Sequence, residues 1–349
     1  MAEVEVHVTG LLTPAAPRPR ISVSVEAIGL TLAGTDVASS ARPGVALAGT
    51  DVASSARPGA APAGTDVVAS RRLGPTPTDQ AVAAAAVDLL ERTADEARQA
   101  GVRLQSTVAD VVDRGARQVR VLARAETIGG PVLLGTESAD HRTATLPFAE
   151  LGRLPAALSP ATDARDLPIV LRPGVAAVLI AGAVFSLTSA RGRENARQLA
   201  GKRVLPGLTL TEADRTLVDA GVLVASDEAP QRIWDHERQS YVEDPLTRAG
   251  MRGPEAPLPQ DFVELVWCVE GLQRYHADGT VRLQCLAKTG DEWSVRTLVG
   301  KPIRLLRHVT AVHGPLTTVF TDSVVTTQSL VLTSARTIEG KGNGRIIEE

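Results

Sequence analysis

The sequence predicts an α+β protein with a mixed α/β core, a β-rich C-terminal region and extended strands at both termini. Three patterns predict this class: strict alternation of Val with polar residues at the start, a long Ala/Leu/Glu/Arg-rich helical segment, and alternating apolar runs separated by Asp-Gly and Gly-Asp turns after residue 262. A chain of 349 residues is long enough for two or three domains with separate cores. Because only 3% of the residues are aromatic, those cores must be built mainly from Ala, Val and Leu.

The first predicted region, residues 1–33, is an arm of extended strands. Residues 3–8 read EVEVHV, so Val4, Val6 and Val8 share one face of a strand and polar side chains occupy the other. This pattern is typical of a half-buried or edge strand. Acidic residues stand where a secretory signal peptide would carry Lys or Arg, which favours a cytoplasmic start.

The second predicted region, residues 34–74, is an internal repeat. The motif GTDVASS begins at Gly34 and again at Gly49, and the variant GTDVVAS begins at Gly64, which gives a period of fifteen residues. Each copy could be a short strand closed by a Pro-Gly turn. A flexible linker rich in Ala, Ser, Gly and Pro explains the composition equally well, and both interpretations stay open.

The third predicted region, residues 75–172, is an α/β layer followed by a connector. Residues 79–100 are rich in helix formers, and Thr78 precedes them as a candidate N-cap. We predict a second helix over 106–114 and a strand over 118–125. The last part of the region holds four prolines between short apolar patches, as expected of a connector.

The fourth predicted region, residues 173–257, is a helical and α+β core. The stretch 173–190 has no charged residue, but its strongly apolar part, 175–185, is shorter than the roughly 20 residues that cross a bilayer. We therefore predict a buried core helix and no stable membrane insertion. A second helix is predicted from Thr211 to Ala220.

The fifth predicted region, residues 258–349, is β-rich. Turn sequences at 276–280 and 288–292 separate alternating apolar residues, which indicates a meander of hairpins. The chain has only two cysteines, Cys268 and Cys285, and they lack the spacing of a metal or redox motif. Both are predicted to be buried thiols.

No motif of known chemistry stands out in the chain. There is no G-x-S-x-G nucleophile elbow and no H-E-x-x-H zinc helix, so His308 and His313 are interpreted as surface or turn residues. The glycines Gly340, Gly342 and Gly344 do not fit a phosphate-loop consensus, and we interpret them as part of a flexible end. The formal net charge is -3 without a Lys/Arg block, so nucleic acid is not an expected partner. We predict no catalytic residues, no cofactor and no metal, and therefore no enzyme.

A series of short elements between residues 169 and 235 occurs in a recognisable order. These elements are Pro173-Gly174 before the apolar helix, Arg191-Gly192, Glu194-Asn195, Leu210-Thr211-Glu212-Ala213-Asp214, Ala220-Gly221-Val222 and Arg232-Ile233-Trp234. In this order they resemble the core of contractile phage tail sheath proteins, the family that also forms the sleeves of tailocins and related injection machines. The resemblance implies a structural subunit of a virion that polymerises helically around an inner tube, after synthesis in the cytoplasm.

A sheath-like subunit would act through contacts with copies of itself and with an inner tube protein. Extended terminal strands can add to the sheet of a neighbouring copy and link the subunits. The residues predicted for this assembly are Val4, Val6, Val8, Leu330, Leu332 and Ile338. Two alternatives stay open: another virion component, such as a capsid or minor tail protein, and an enzyme whose site is assembled from dispersed residues.

Overall fold

The fold is described from a computed structural model of the full chain. The residues described are 3–13, 16–28, 67–69, 77–113, 117–160, 163–188, 197–213, 215–224, 232–235, 240–243, 248–269, 274–275, 279–320 and 323–348. Apart from 67–69, the repeat region therefore lies outside the described residues, as does most of the predicted turn at 276–280.

The described residues form several helices and a larger number of strands. The helices are α1 (Pro77–Gln99), α2 (Phe148–Leu151), α3 (Pro173–Thr188), α4 (Pro302–Leu306) and α5 (Ala335–Gly340). The strands are β1 (Glu3–Thr13), β2 (Ala16–Ile28), β3 (Val67–Ala69), β4 (Leu104–Asp113), β5 (Arg117–Ala125), β6 (Val132–Ser138), β7 (Pro168–Leu171), β8 (Thr209–Glu212), β9 (Arg215–Asp219), β10 (Val222–Leu223), β11 (Arg232–Asp235), β12 (Ser240–Glu243), β13 (Arg248–Arg252), β14 (Val263–Cys268), β15 (Arg274–Tyr275), β16 (Val281–Thr289), β17 (Glu292–Gly300), β18 (Val309–Phe320), β19 (Val324–Ser334) and β20 (Gly344–Glu348). The predicted α+β class with a β-rich C-terminal region is confirmed.

The chain divides into two compact units. The first contains Met1–Glu126 and Leu134–Arg153, and the second contains Thr127–Leu133 and Leu154–Glu349. The change of unit at residue 153 falls inside the region predicted as 75–172. The finer five-region division stays a prediction.

The first unit is a sheet with one long helix packed on it, and its strands are antiparallel except that β3 is parallel to β2. Its strands run in the order β3, β2, β1, β4 and β5, and α1 contacts β4, β1 and β2. Leu89 and Leu90 of α1 are fully buried. The predicted helix over 79–100 is confirmed, and Gly101 ends it in the left-handed conformation at φ +72°. The N–H of Val102 then donates to the carbonyl of Ala97, which satisfies the last turn.

The predicted helix over 106–114 is wrong, because residues 106–113 belong to β4 and residue 114 lies outside the described residues. Thr107, Ala109 and Val111 are buried while the residues between them that can be described are less so, which is the period of two expected of a strand. Two neighbours, β1 and β5, bond its edges. The strand predicted over 118–125 is confirmed as β5.

Both terminal segments proposed for assembly are paired within their own chain. Strand β1, which carries Val4, Val6 and Val8, lies between β2 and β4. Strand β19 lies between β18 and β7, and its Leu330 and Leu332 are buried in the core. Ile338 of α5 is also fully buried. The assembly role of these residues stays a prediction, and it now requires the strands to exchange intramolecular partners for a neighbouring copy.

The second unit is built around a mixed sheet. Its strands run in the order β20, β17, β16, β14, β7, β19 and β18, with β7 parallel to β14 and antiparallel to β19. Helix α3 packs against β19, β14, β13 and β18, and residues from Val175 to Val184 are almost all buried there. The predicted core helix is confirmed. At 16 residues it extends about 24 Å, and none of the described helices is long and apolar enough to cross a bilayer.

The predicted helix from Thr211 to Ala220 is wrong. The chain instead forms the short strands β8, β9 and β10, and β8 also pairs with β13. Ala213, Ala220 and Gly221 adopt positive φ values of 48°, 43° and 91°, which turn the chain sharply and cannot occur inside a helix. The carbonyls of Leu205 and Leu208 lie beside the second turn, where Leu208 accepts the N–H of Gly221.

The C-terminal hairpins agree with the sequence pattern. Strands β16 and β17 are joined by a turn in which Gly290 has φ +58°, within the predicted turn at 288–292. Cys268 and Cys285 face each other across β14 and β16 as buried free thiols with their sulfurs 3.9 Å apart. The hydrogen bond with Cys268 and burial both raise the pKa of the Cys285 thiol, which keeps it protonated and unreactive.

Candidate functional site

An open cleft lies where β17, α4 and β20 meet in the second unit. Its volume is about 310 Å³, and the backbone of three glycines forms part of its wall. The side chains that line it belong to Thr280, Val299, Lys301, Arg304, Asn343 and Arg345. In the sheet register Val299 faces Arg345 across β17 and β20, so both side chains stand on the same face. Lys301 follows two residues after Val299, which returns its side chain to that face.

Three of the lining residues are cationic and none is acidic. Arg304 and Arg345 are exposed, and Lys301 is half-buried at the start of α4. Within the described part of the chain, these three side chains make no ion pair and no side-chain hydrogen bond, whereas Arg172, Arg120 and Arg215 are paired with carboxylates. The cleft therefore gathers positive charge that the described residues leave uncompensated. We name this feature, with its six lining side chains, the basic cleft.

Backbone geometry holds the far wall of the basic cleft in place. Just after the end of helix α5, Gly342 has φ +62°, and the N–H of Asn343 donates to the carbonyl of Ile338 over 3.2 Å. This arrangement is the Schellman motif that closes a helix and fixes the direction of the next residues. At Gly344 a Cβ would come within 2.6 Å of the Val299 carbonyl oxygen, so only glycine allows β20 to approach β17 this closely. The predicted flexible end is thus wrong: the C-terminal glycines form a helix cap and a strand.

A buried histidine supports the basic cleft from behind. His308 is 3% exposed, and its Nε2 lies 2.9 Å from Nδ2 of Asn343. Its Nδ1 lies 3.0 Å from Oγ1 of Thr333. With the amide of Asn343 donating to Nε2, the proton of the neutral ring sits on Nδ1 and is donated to Thr333. The interpretation of His308 as a surface or turn residue is wrong, and its role is to position Asn343.

The histidine also gives the second unit a pH dependence. Burial, and secondarily the positive charge of Lys341, lower the pKa of His308. The folded state therefore binds this proton less readily than the unfolded state does. Stability from this residue is complete above the unfolded pKa of about 6.5 and is lost as pH falls through the lower folded pKa. Protonation also removes the acceptor that holds Asn343.

We expect His308→Gln to reduce the loss of stability on acidification. Glutamine can still accept a hydrogen bond but does not titrate, so its free energy of unfolding should change less between pH 7.5 and pH 5.5 than that of the wild type. Urea denaturation at several pH values measures this difference. Lys341→Ala removes the second cause of the lowered pKa and should give an intermediate pH dependence. Identical pH profiles for wild type and His308→Gln would contradict the assignment.

The other histidine of the pair lies apart from the basic cleft. His313 is half-buried on β18, and its Nδ1 lies 3.0 Å from the carbonyl oxygen of Ala256. Among the described residues, no group of three or more His, Cys, Asp and Glu side chains could hold a metal ion. The residues of the basic cleft were not found from sequence, since they are ordinary polar, apolar and cationic residues in three separated segments, and the three cations come from two of these. The glycine-rich sequence GKGNGR was the one noticeable sequence feature that contains residues of the basic cleft.

Comparisons with known proteins identify the fold. No protein-family model and no curated protein matches the chain. The solved structure of TldE from Thermococcus kodakarensis matches it with a TM-score of 0.55 at 10% sequence identity, over 95% of both chains. A Thermotoga maritima structure, described as that of a suggested modulator of a DNA gyrase, matches with a TM-score of 0.48, also at 10% identity and over 95% of both chains.

The likeness to the TldE structure overturns the resemblance to tail sheath proteins. The likeness to TldE extends over nearly the whole chain, whereas the sheath resemblance covered short elements between residues 169 and 235. Its Leu-Thr-Glu-Ala-Asp element is expected to be helical in that family, but here Leu210–Glu212 belong to strand β8 and Ala213 has a positive φ. The predicted structural role, the virion location and the prediction that the chain is not an enzyme fall with it. Self-association and an inner tube partner stay untested predictions.

Proposed function

We propose that the protein is an enzyme with a site assembled from dispersed residues, and that the basic cleft binds the anionic group of its small-molecule substrate. The observation that carries the proposal is the convergence of Lys301, Arg304 and Arg345 on one cleft without an acidic lining residue. Like charges held together repel one another, and an anion relieves that repulsion. Such a grouping is therefore favourable when a ligand is bound.

The remaining side chains of the basic cleft suit a polar ligand. Thr280 offers a hydroxyl that donates or accepts, and the amide of Asn343 is oriented by His308. Guanidinium groups donate in a fixed planar fork, whereas an ammonium group is a compact point charge. A volume of about 310 Å³ lies at the lower end of the range for small-molecule sites. The ligand's charge is thus met by the cations and its orientation by neutral donors.

The proposal also accounts for the lack of a sequence motif. The lining residues come from the residue before β16, from the junction of β17 with α4, and from the turn before β20 together with the first residues of that strand. Only the register of the three strands brings these segments together. An enzyme assembled in this way has no local signature, which was the alternative left open from sequence.

The test compares two triple variants of equal charge change. Lys301→Ala/Arg304→Ala/Arg345→Ala removes the cations of the basic cleft, and Lys202→Ala/Arg203→Ala/Arg252→Ala removes three exposed cations elsewhere in the second unit. Each protein is incubated with a mixture of small anionic metabolites, and turnover is followed by mass spectrometry. We expect the wild type and the control variant to convert the same compound and the cleft variant to lose at least about 90% of that turnover. A ligand present at 100 times its Kd should also stabilise the wild type and the control variant by about 2.7 kcal/mol.

Two results would overturn the proposal. One is equal turnover by the cleft variant and the control variant, which would place the reaction elsewhere. The other is the absence of any turnover by the wild type together with no stabilisation by any anion in the mixture.

A further inference from the structure

If the basic cleft binds an anion, as the proposed function states, its charge also indicates which kind of anion it binds. A phosphate monoester carries a charge of about -1.5 to -2 near pH 7, whereas a single carboxylate carries -1. With three cations and no acidic lining residue, a monocarboxylate would leave two positive charges uncompensated at the site. A phosphate group compensates most of them.

The number and positions of the hydrogen-bond donors in the basic cleft also favour a phosphate group. Lys301 and Arg304 lie at either end of the first turn of α4, and Arg345 approaches from β20. Donors that come from two elements fit an acceptor whose oxygens point in several directions. The three free oxygens of a phosphate monoester are arranged in this way, whereas both oxygens of a carboxylate lie in one plane and are satisfied by a single Arg fork.

The walls of the basic cleft restrict the rest of the ligand. None of the lining residues that the structure describes is aromatic, and Val299 is the one apolar side chain among them. Nucleobases are generally held by stacking on aromatic rings, so this lining does not suit a nucleotide. Thr280 and Asn343 instead offer hydrogen bonds to hydroxyl groups.

We infer that the ligand of the basic cleft is a phosphate monoester of a small polar alcohol, with the phosphate held by Lys301, Arg304 and Arg345. The alcohol portion lies against Thr280 and Asn343. Selectivity for the doubly charged phosphate follows from the excess of cations. Affinity therefore follows the ionisation of the ligand, whose second pKa is about 6.

Isothermal titration calorimetry on the full chain at low ionic strength tests this inference with glycerol 3-phosphate, glycerate and sulfate. We expect glycerol 3-phosphate to bind at least about tenfold more tightly than glycerate at pH 7.5. Between pH 7.5 and pH 5 its affinity should fall about tenfold, because only about a tenth of a group with pKa 6 is doubly ionised at pH 5. Sulfate keeps its double charge over this range, so its affinity should change much less. Arg304→Ala should weaken glycerol 3-phosphate at least about tenfold, and Lys202→Ala should not.

The outcomes separate this inference from the proposed function. Equal binding of glycerate and glycerol 3-phosphate would overturn the phosphate assignment and leave an anion-binding cleft. An equal fall in affinity for sulfate would also overturn it, because a group of the protein would then be titrating. If none of the three probes bound, both the inference and the anion-binding role would be wrong.

Discussion

Leu179→Asp is expected to abolish cooperative folding of the protein. Leu179 is fully buried in α3, at the centre of the core formed with the mixed sheet of the second unit. An aspartate there would be desolvated without a partner, at a cost of about 3 to 5 kcal/mol, in addition to the packing lost with the leucine. Since whole domains are stable by about 5 to 15 kcal/mol, the loss removes most of the margin. Urea unfolding followed by circular dichroism measures it.

A control on the same helix separates the effect of burying an aspartate from the effect of placing an aspartate in a helix. Phe185 is 62% exposed near the end of α3, so Phe185→Asp should change the free energy of unfolding by less than about 1 kcal/mol. Leu179→Ala, which creates a cavity without a charge, should cost about 2 to 5 kcal/mol and remain measurable if the aspartate variant does not fold. A cooperative, wild-type-like transition for Leu179→Asp would show that α3 is not a core helix.

The elements that sequence predicted correctly are those whose local signals agree with their environment. Helix α1 combines strong helix formers with a glycine at its C-terminal cap, and α3 is apolar on all sides because the core surrounds it. The hairpin of β16 and β17 carries its own turn sequence. In each case neighbouring residues contain the information, so no knowledge of distant partners is needed.

The two incorrect helices failed for a shared reason. Thr107, Ala109 and Val111 bury one face of β4, but Val108 interrupts the alternation of apolar and polar residues, so the sequence also allows a helix over so short a window. From Thr211 to Ala220, a good N-cap sequence was outweighed by pairing of β8 with β13. Pairing between strands distant in sequence is not visible in either segment, and it decided both.

The basic cleft could not be predicted from sequence, because its residues come together only through the pairing register of the strands. Lys301 and Arg345 are separated along the chain and meet because Gly300 pairs with Gly344. The resemblance to sheath proteins failed similarly, since a series of short elements in order does not specify how strands pair. The tail glycines were rejected as a phosphate loop on good grounds, yet they shape a cleft for which we propose a phosphate ligand.

Gly221→Ala is expected to destabilise the protein by about 2 to 5 kcal/mol, a large effect for one added methyl group. Gly221 has φ +91°, a conformation that costs an L-residue roughly 1 to 2 kcal/mol. Its added Cβ would also collide with the carbonyl oxygen of Leu205, which is backbone and cannot rotate away. Overpacking of this kind costs about 1 to 3 kcal/mol more. To relieve the collision, the segment that contains Leu205 must move away from residue 221. Two hydrogen bonds oppose this movement, because the N–H groups of Val204 and Leu205 both donate to the Gly221 carbonyl.

Gly207→Ala is the matched control, because it has the same chemistry without the collision. Gly207 has φ +67°, and a Cβ added there would meet nothing within 4 Å. Its substitution should cost only the roughly 1 to 2 kcal/mol by which an L-residue is disfavoured in the left-handed conformation. Urea denaturation of both variants yields the difference, which isolates the contact between Gly221 and Leu205. That contact exists only if the chain from Thr209 to Leu223 forms strands and tight turns. Were the segment a helix ending at Gly221, as its sequence predicts, alanine at both glycines would cost about the same, and equal losses would restore that helix.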